Sequence, residues 1–255
     1  MNLGNFDKII FKNEEKPRQE TSPREKYKSS PQEIVLGSRD FESEVKLLGG
    51  AVGDARLVKI RDDGGGVFKP HTYFEGPEKN KLISRERAAY LISRFLGFDF
   101  VPPTVIKVIN GEEGSLQEFV EDAQTRYEAS VEDIDQYELD KLRVFDCLVC
   151  NSDRNMGNYL IKDRKIFAID HGFTLDPEGL QHPYINIETV PLDIAERLRH
   201  FIESEEQIGI LRDLLTELLG KSIADKFIKR VTVFVESIKT DYSLDSGKFY
   251  KLIRH

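Results

Sequence analysis

The alternation of apolar and polar positions divides this chain into three stretches. From Lys12 to Glu33 charged residues mix with serines and three prolines, and Tyr27 is the only large apolar side chain. Such a stretch buries too little surface to offset its ordering entropy, so a disordered arm is expected there, with the compact chain beginning near Ile34. Ahead of it, Phe6, Ile9, Ile10 and Phe11 form a short apolar segment able to dock. Val45 to Leu48, the alternating Ala55 to Ile60, and Val67 to Pro70 read as strands, the last two joined by the turn Asp62-Asp63-Gly64-Gly65. A helix capped by Ser84 gathers Ala88, Leu91, Ile92, Phe95 and Leu96 on one face and stops at Gly97. Thr104 to Ile109 and Ser115 to Val120 form a second hairpin.

Beyond residue 121 the period changes. Tyr137 to Cys150 places Leu139, Leu142, Phe145, Leu148 and Val149 at helical spacing, and two short strands follow, Tyr159 to Ile161 and Ile166 to Ile169. The remainder is helical in pattern over Leu192 to Ile202, Glu206 to Leu219 and Ile223 to Lys239. Strands early and helices late predict an α+β protein with two lobes and a cleft between them. The expected division is an arm over 1–33, a strand-rich lobe over 34–120 and a helical lobe over 121–255.

Composition narrows the function classes. Of the 255 residues 39% are hydrophobic, enough for a core, and the net charge of −8 provides no basic surface for bulk nucleic-acid binding. No apolar run approaches the roughly 18 residues a spanning helix needs, and the first residues carry no basic-then-apolar leader. A cytoplasmic protein without stable membrane insertion is therefore expected. Cys147 and Cys150 form a C-x-x-C, but they lie inside an apolar helix with no second thiol pair or histidine cluster nearby, so buried thiols are expected rather than redox or zinc chemistry.

The chemistry concentrates in Asn151 to Asn158, NSDRNMGN, and Ala168 to Gly172, AIDHG. A helix ends at Cys150, a tight polar loop presents Asp153 and Asn158, and the following hairpin returns Asp170 beside them. Magnesium takes hard oxygen ligands, commonly one or two carboxylates together with nucleotide phosphates. Asn158 and Asp170 would be those ligands, leaving Asp153 to face an incoming hydroxyl as base, with Asp146 and Arg154 bracing the loop.

The D-x-x-x-x-N spacing and the later Asp-x-Gly match a kinase catalytic loop and metal-binding aspartate. The fuller strings FDCLVCNSDRNMGNYLI and IFAIDHG resemble the phosphatidylinositol 3- and 4-kinase-like branch of the kinase superfamily, and its atypical relatives of the actin-fragmin-kinase-like and HipA types. In that branch Asp-Arg replaces the reversed order of ordinary protein kinases, and His171 stands where they have Phe. The resemblance runs from about Gly49 to Gly172. It implies that Lys69, at the end of Val67-Phe68-Lys69-Pro70, lies on the nucleotide phosphates and that Glu86 holds that lysine. On a helical wheel Glu86 falls on the shoulder of the apolar stripe. It also implies a phosphate-covering turn at Gly49 to Gly53, through Gly50 and Gly53, and a hinge at Gln117 to Val120 where Glu118 and Val120 meet adenine.

What the resemblance implies is a small kinase using ATP and magnesium, or manganese in its place. It would transfer the γ-phosphate to a hydroxyl on a protein, Ser or Thr, or on the chain itself. The alternatives are a phosphoinositide or inositol-phosphate kinase, an AMP-transferring enzyme, and a pseudokinase on the same fold. His171 to Glu196 contains no Lys or Arg but does contain Asp176, Glu178, Glu188 and Asp193. That charge disfavours a phosphorylated lipid headgroup.

Overall fold

In the computed structural model the described residues are 27–38, 41–47, 55–60, 64–72, 74–130, 134–175 and 187–253. An antiparallel sheet of β1 (Phe41–Leu47), β2 (Arg56–Ile60), β3 (Gly65–Lys69), β4 (Thr104–Ile109) and β5 (Glu112–Glu118) runs in the order β1-β2-β3-β5-β4. Lys69 pairs with Ser115 and Gly66 with Glu118, so β3 and β5 share the centre of the sheet. Phe68 is fully buried beneath it, and the period of two along the strand turns Lys69 to the other face. Gly114 is required here. A Cβ at that position would come within 2.6 Å of the Phe68 ring and 2.7 Å of the Lys69 carbonyl.

Two helices accompany the sheet, α1 (Pro31–Ser38) and α2 (Gly76–Phe95). The longer one begins at Gly76-Pro77, more than two turns before the expected cap at Ser84. Proline fits the first turn of a helix, where its missing N–H costs nothing. It ends where expected, with Gly97 at φ +70°. The helical part comprises α3 (Gln136–Val149), α4 (Leu192–Glu203), α5 (Glu205–Leu219), α6 (Lys221–Glu236) and α7 (Ser246–Ile253). It also holds a small sheet of β6 (Gln124–Thr125), β7 (Tyr159–Lys162) and β8 (Lys165–Ala168). This is an α+β molecule with a strand-rich and a helical lobe.

The apolar side chains segregate into two clusters. The sheet owns a small one of Leu36, Val58, Phe68, Ile109 and Leu116, with Val105 against it. The large one takes in the apolar face of α2 (Ala88, Leu91, Ile92, Leu96) together with Phe145 and Leu148 of α3, Leu211 and Leu215 of α5, and Phe234 of α6. Helix α2 thus packs with the helical body, against α5 in particular, although in sequence it lies among the strands.

The arm expected over 1–33 is corrected at its end. Residues 1–26 lie outside the described residues, but Tyr27 to Glu33 pack on the body. Ser30 and Glu33 bond reciprocally at the start of α1, Glu33 N to Ser30 Oγ at 3.2 Å and Ser30 N to Glu33 Oε2 at 2.8 Å. This is a capping box, with Pro31 in the first helical position. Glu33 is buried. Charged composition concealed a segment whose one carboxylate, Glu33, is paired with Arg87 and Arg94.

Candidate active site

Four elements bring the polar residues together. Lys69 leaves the end of β3 and places its amine 2.7 Å from Glu86 Oε1 on α2 and 3.2 Å from Asp170 Oδ1, just past β8. Glu86 is 1% exposed, and its second oxygen accepts the His171 N–H at 3.1 Å. Its place on the shoulder of the apolar stripe is what lets it face the sheet while its helix packs on the body. Burial pushes the Lys69 ammonium down, and the carboxylates of Glu86 and Asp170 push it up further, so the amine is held protonated. The Lys69 charge holds Asp170 below the usual carboxylate range, against the opposing effect of burial.

The polar loop carrying Asp153 and Asn158 starts from a helix stop. Cys150 takes the left-handed conformation at φ 51° and its N–H caps Asp146 O. Asn151, buried, donates to Asp146 Oδ1 at 3.0 Å and accepts the Asp153 N–H at 3.0 Å. Asp153 is exposed, and its carboxylate accepts the Asn158 amide at 3.1 Å, while its carbonyl accepts the same amide at 2.7 Å. Both bonds use Asn158 Nδ2, which turns Asn158 Oδ1 away as an acceptor. The Ile169 N–H donates to Asn158 O at 3.1 Å, setting the backbone of Asn158 next to that of Asp170. Asp170 itself sits at φ +61°, a conformation costing a non-glycine residue about 1–3 kcal/mol and concentrated at functional sites.

Arg154 ties this loop to the strands. Its guanidinium forks onto Asp146 at 2.9 and 3.0 Å, and it donates to the carbonyls of Asn158 and Ile169 and meets His171 Nε2 at 3.1 Å. Burial, then Arg154 and Lys69, push His171 well below its ordinary range, so the ring is neutral. Both thiols are pushed up by burial, Cys147 to about 12, and neither is poised for redox or metal chemistry.

The structure therefore gathers Lys69, Glu86, Asp153, Asn158 and Asp170 into one site. The glycines Gly50 and Gly53 lie outside the described residues. Along the hinge, Glu118 N is taken by Pro103 O at 2.8 Å and Phe119 N by Gly65 O at 3.0 Å. Val120 is the first hinge residue whose N–H has no partner among the described residues. Burial raises the Glu118 carboxyl. A cavity of about 410 Å³ behind the hinge, lined by Val101, Pro103, Glu118, Val120, Lys162 and Phe167 among others, contains none of the five polar residues. No group of three His, Cys, Asp or Glu side chains able to hold a metal stands together among the described residues. Asn158 Oδ1 and the Asp170 carboxylate are hard oxygen donors of the kind magnesium takes together with phosphate and water, on residues brought close by the Ile169 N–H to Asn158 O bond. Sequence reasoning missed Asn151, which orients Asp153, and Glu33, which holds α2.

No curated protein matches this sequence. Among solved structures, the crystal structure of a Helicobacter pylori proinflammatory kinase, CtkA, is similar over 86% of this chain and 98% of that chain, at 13% identity and a TM-score of 0.48. No helix among the described residues is long and apolar enough to cross a membrane. The sequence pattern of the family described as phosphatidylinositol 3- and 4-kinase matches residues 85–232, more than half the chain and a range that holds Glu86, Asp153, Asn158 and Asp170, and this chain belongs to that family.

Proposed function

We propose that this chain is an ATP- and magnesium-dependent kinase that phosphorylates a hydroxyl on a protein, Ser or Thr, or on itself. The observation that carries the reading is the Lys69 amine held between Glu86 and Asp170, with Asp153 and Asn158 bonded to each other beside the Asp170 backbone. Membership of the family supports kinase-type phosphotransfer; the cofactors and the acceptor are the proposal.

In this reading Lys69, kept cationic by two carboxylates, orients the phosphates of ATP, and the Val120 N–H receives the adenine edge. Asn158 Oδ1 and Asp170 would hold magnesium, which when bound neutralises charge on the phosphates. Asp153, exposed and fixed through its own N–H by Asn151, accepts the proton of the acceptor hydroxyl. The hydroxyl oxygen then bonds to the γ-phosphorus as the bond to the bridging oxygen breaks and ADP leaves. Positioning and charge stabilisation do most of the work.

A protein acceptor is supported by what the cations that follow Asp170 in sequence do. Arg197 and Arg199 are the first after the cation-free stretch His171 to Glu196. Arg197 donates to Gly97 O and sits 3.4 Å from Asp193, while Arg199 lies over the Tyr242 ring at 5.4 Å. Both are engaged by groups of the protein, and the stretch before them adds no Lys or Arg. Incubation with labelled ATP and magnesium, against candidate proteins and phosphatidylinositol vesicles, with Asp153→Asn as control, tests this. Label on protein, read by intact mass as phosphate, is expected. Label on lipid lost in Asp153→Asn transfers the assignment to a lipid kinase, and an added AMP mass transfers it to an AMP-transferring enzyme.

A further inference from the structure

Several contacts join the sheet to the helical body, among them the Lys69 pairs with Glu86 and Asp170 and the Arg87 bond to Thr104 O. Another is α1 with the turn before it. Leu36 of α1 belongs to the sheet's small core, and Lys107 of β4 donates to Leu36 O at 2.9 Å. Three residues earlier, Glu33 is pinned to α2. Its Oε1 accepts from Arg87 Nη2 at 2.7 Å, and its Oε2 from Arg94 Nη1 at 2.5 Å and from the Tyr90 hydroxyl at 3.0 Å. Tyr27 adds its hydroxyl to both oxygens of Glu33 at 2.8 and 2.9 Å and stacks on Phe95. Burial raises the Glu33 carboxyl, but the Ser30 N–H and the Arg87 guanidinium outweigh it, and the group stays ionised below its usual range.

The geometry constrains the active site. Arg87 follows Glu86 directly and projects about 100° around the helix from it. Arg87 is held at both ends, since Nη1 also donates to Thr104 O at 2.6 Å. Arg94 lies seven residues on, about two turns along the same stripe. Two pins on one face, both on one carboxylate, fix the rotation of α2 and with it the direction of Glu86. We propose that the segment Tyr27–Ser38 is a strap that sets the spacing and rotation of α2 against the sheet, with Glu33 as the positioning residue for the Lys69–Glu86 pair. The functional meaning of the strap, control of nucleotide binding, rests on the kinase reading; the strap itself does not.

The test is reactivity of the Lys69 amine in the full chain. Acylation by acetic anhydride is read at Lys69 by mass spectrometry and normalised to Lys141, a half-hidden lysine paired with Glu138 on α3. Glu33→Ala is expected to raise Lys69 labelling several-fold, towards the level of Glu86→Ala, because an amine no longer held by the Glu86 carboxylate is open to the reagent. Tyr27→Phe, which keeps the ring stack, moves it in the same direction by less. Adding Glu33→Ala to Glu86→Ala produces no further rise, because the positioned group is already gone. Unchanged Lys69 labelling in Glu33→Ala and Tyr27→Phe, even with a lower melting temperature, overturns the proposal and leaves Glu33 a purely structural residue. Should Glu33→Ala not fold, Tyr27→Phe decides alone. Titration with magnesium and a fluorescent ATP analogue separates the two claims. Wild type that fails to bind it while Lys69 labelling still responds to Glu33 overturns the kinase reading and retains the strap.

Discussion

The sheet and the helical body are unequal partners in this site. The sheet contributes Lys69, and its described core is five buried side chains. The body contributes Asp153, Asn158 and Asp170, and through α2 it also holds Glu86, all anchored on the large cluster or on the Asp146–Arg154 brace. The residues proposed for proton transfer and metal binding are therefore on the side with the larger core, and the residue proposed for the phosphates is on the side with the smaller one. The geometry of the site then depends on the contacts crossing between the two regions. An ion pair is well suited to that position, since breaking a buried one costs about 3–5 kcal/mol.

The comparison can be broken at several points. The largest effect is expected at Asp153, on the side with the larger core. Asp153→Asn should reduce phosphoryl transfer by at least about 10²–10⁴-fold, the range of general-base removal, with nucleotide affinity unchanged. Steady-state kinetics and a binding titration check this; lost affinity in that variant would move Asp153 out of the role of base. Next come the cores. Phe68→Ala and Phe234→Ala each remove a fully buried ring and should cost about 3–5 kcal/mol. They should differ in reach. Hydrogen exchange should show Phe234→Ala weakening protection throughout the body and Phe68→Ala weakening it only in β2, β3 and β5. Uniform loss in both would show the two cores to be one cooperative unit.

The crossing pair sharpens the comparison further. Lys69→Ala and Glu86→Ala should be non-additive in nucleotide affinity, with a coupling of about 0.5–3 kcal/mol, and additive losses would separate them. The smallest effect is in acid. Glu33 titrates in the folded state below its ordinary value of 4.5, so its stabilising contribution is present above that pH and disappears as pH falls through the lower folded value. Melting temperature of the wild type should fall in that window, and Glu33→Gln should flatten that part of the profile.

The site's legibility in the sequence varied with how local its parts are. Asp153 and Asn158 share one short loop, and Asp170 follows after a single hairpin, so spacing alone placed them. Lys69 and Glu86 are separated by a connecting turn and nearly three turns of helix, and their pairing was read from the resemblance to a kinase family rather than from any local pattern. Glu33 went unread although its signal was present. Ser30-Pro31-Gln32-Glu33 is a capping box with proline in the first helical position, but it stands in a stretch whose average composition reads as an arm. Pro77 likewise marked the start of α2, eleven residues before the apolar stripe that begins at Ala88.

By itself the sequence determined the α+β order of elements, the polar loop after Cys150 and the family, because periodicity, turn residues and short motifs act over a few residues each. The tertiary structure alone decided that α2 packs with the body while its shoulder residue reaches the sheet. It alone decided that Glu33 meets Arg87 and Arg94 more than fifty residues away, and that Arg197 is spent on Gly97 O. These contacts join residues far apart along the chain. Their energies depend on burial and on which charges face one another across a packed interface, and a linear pattern of residue types carries neither quantity.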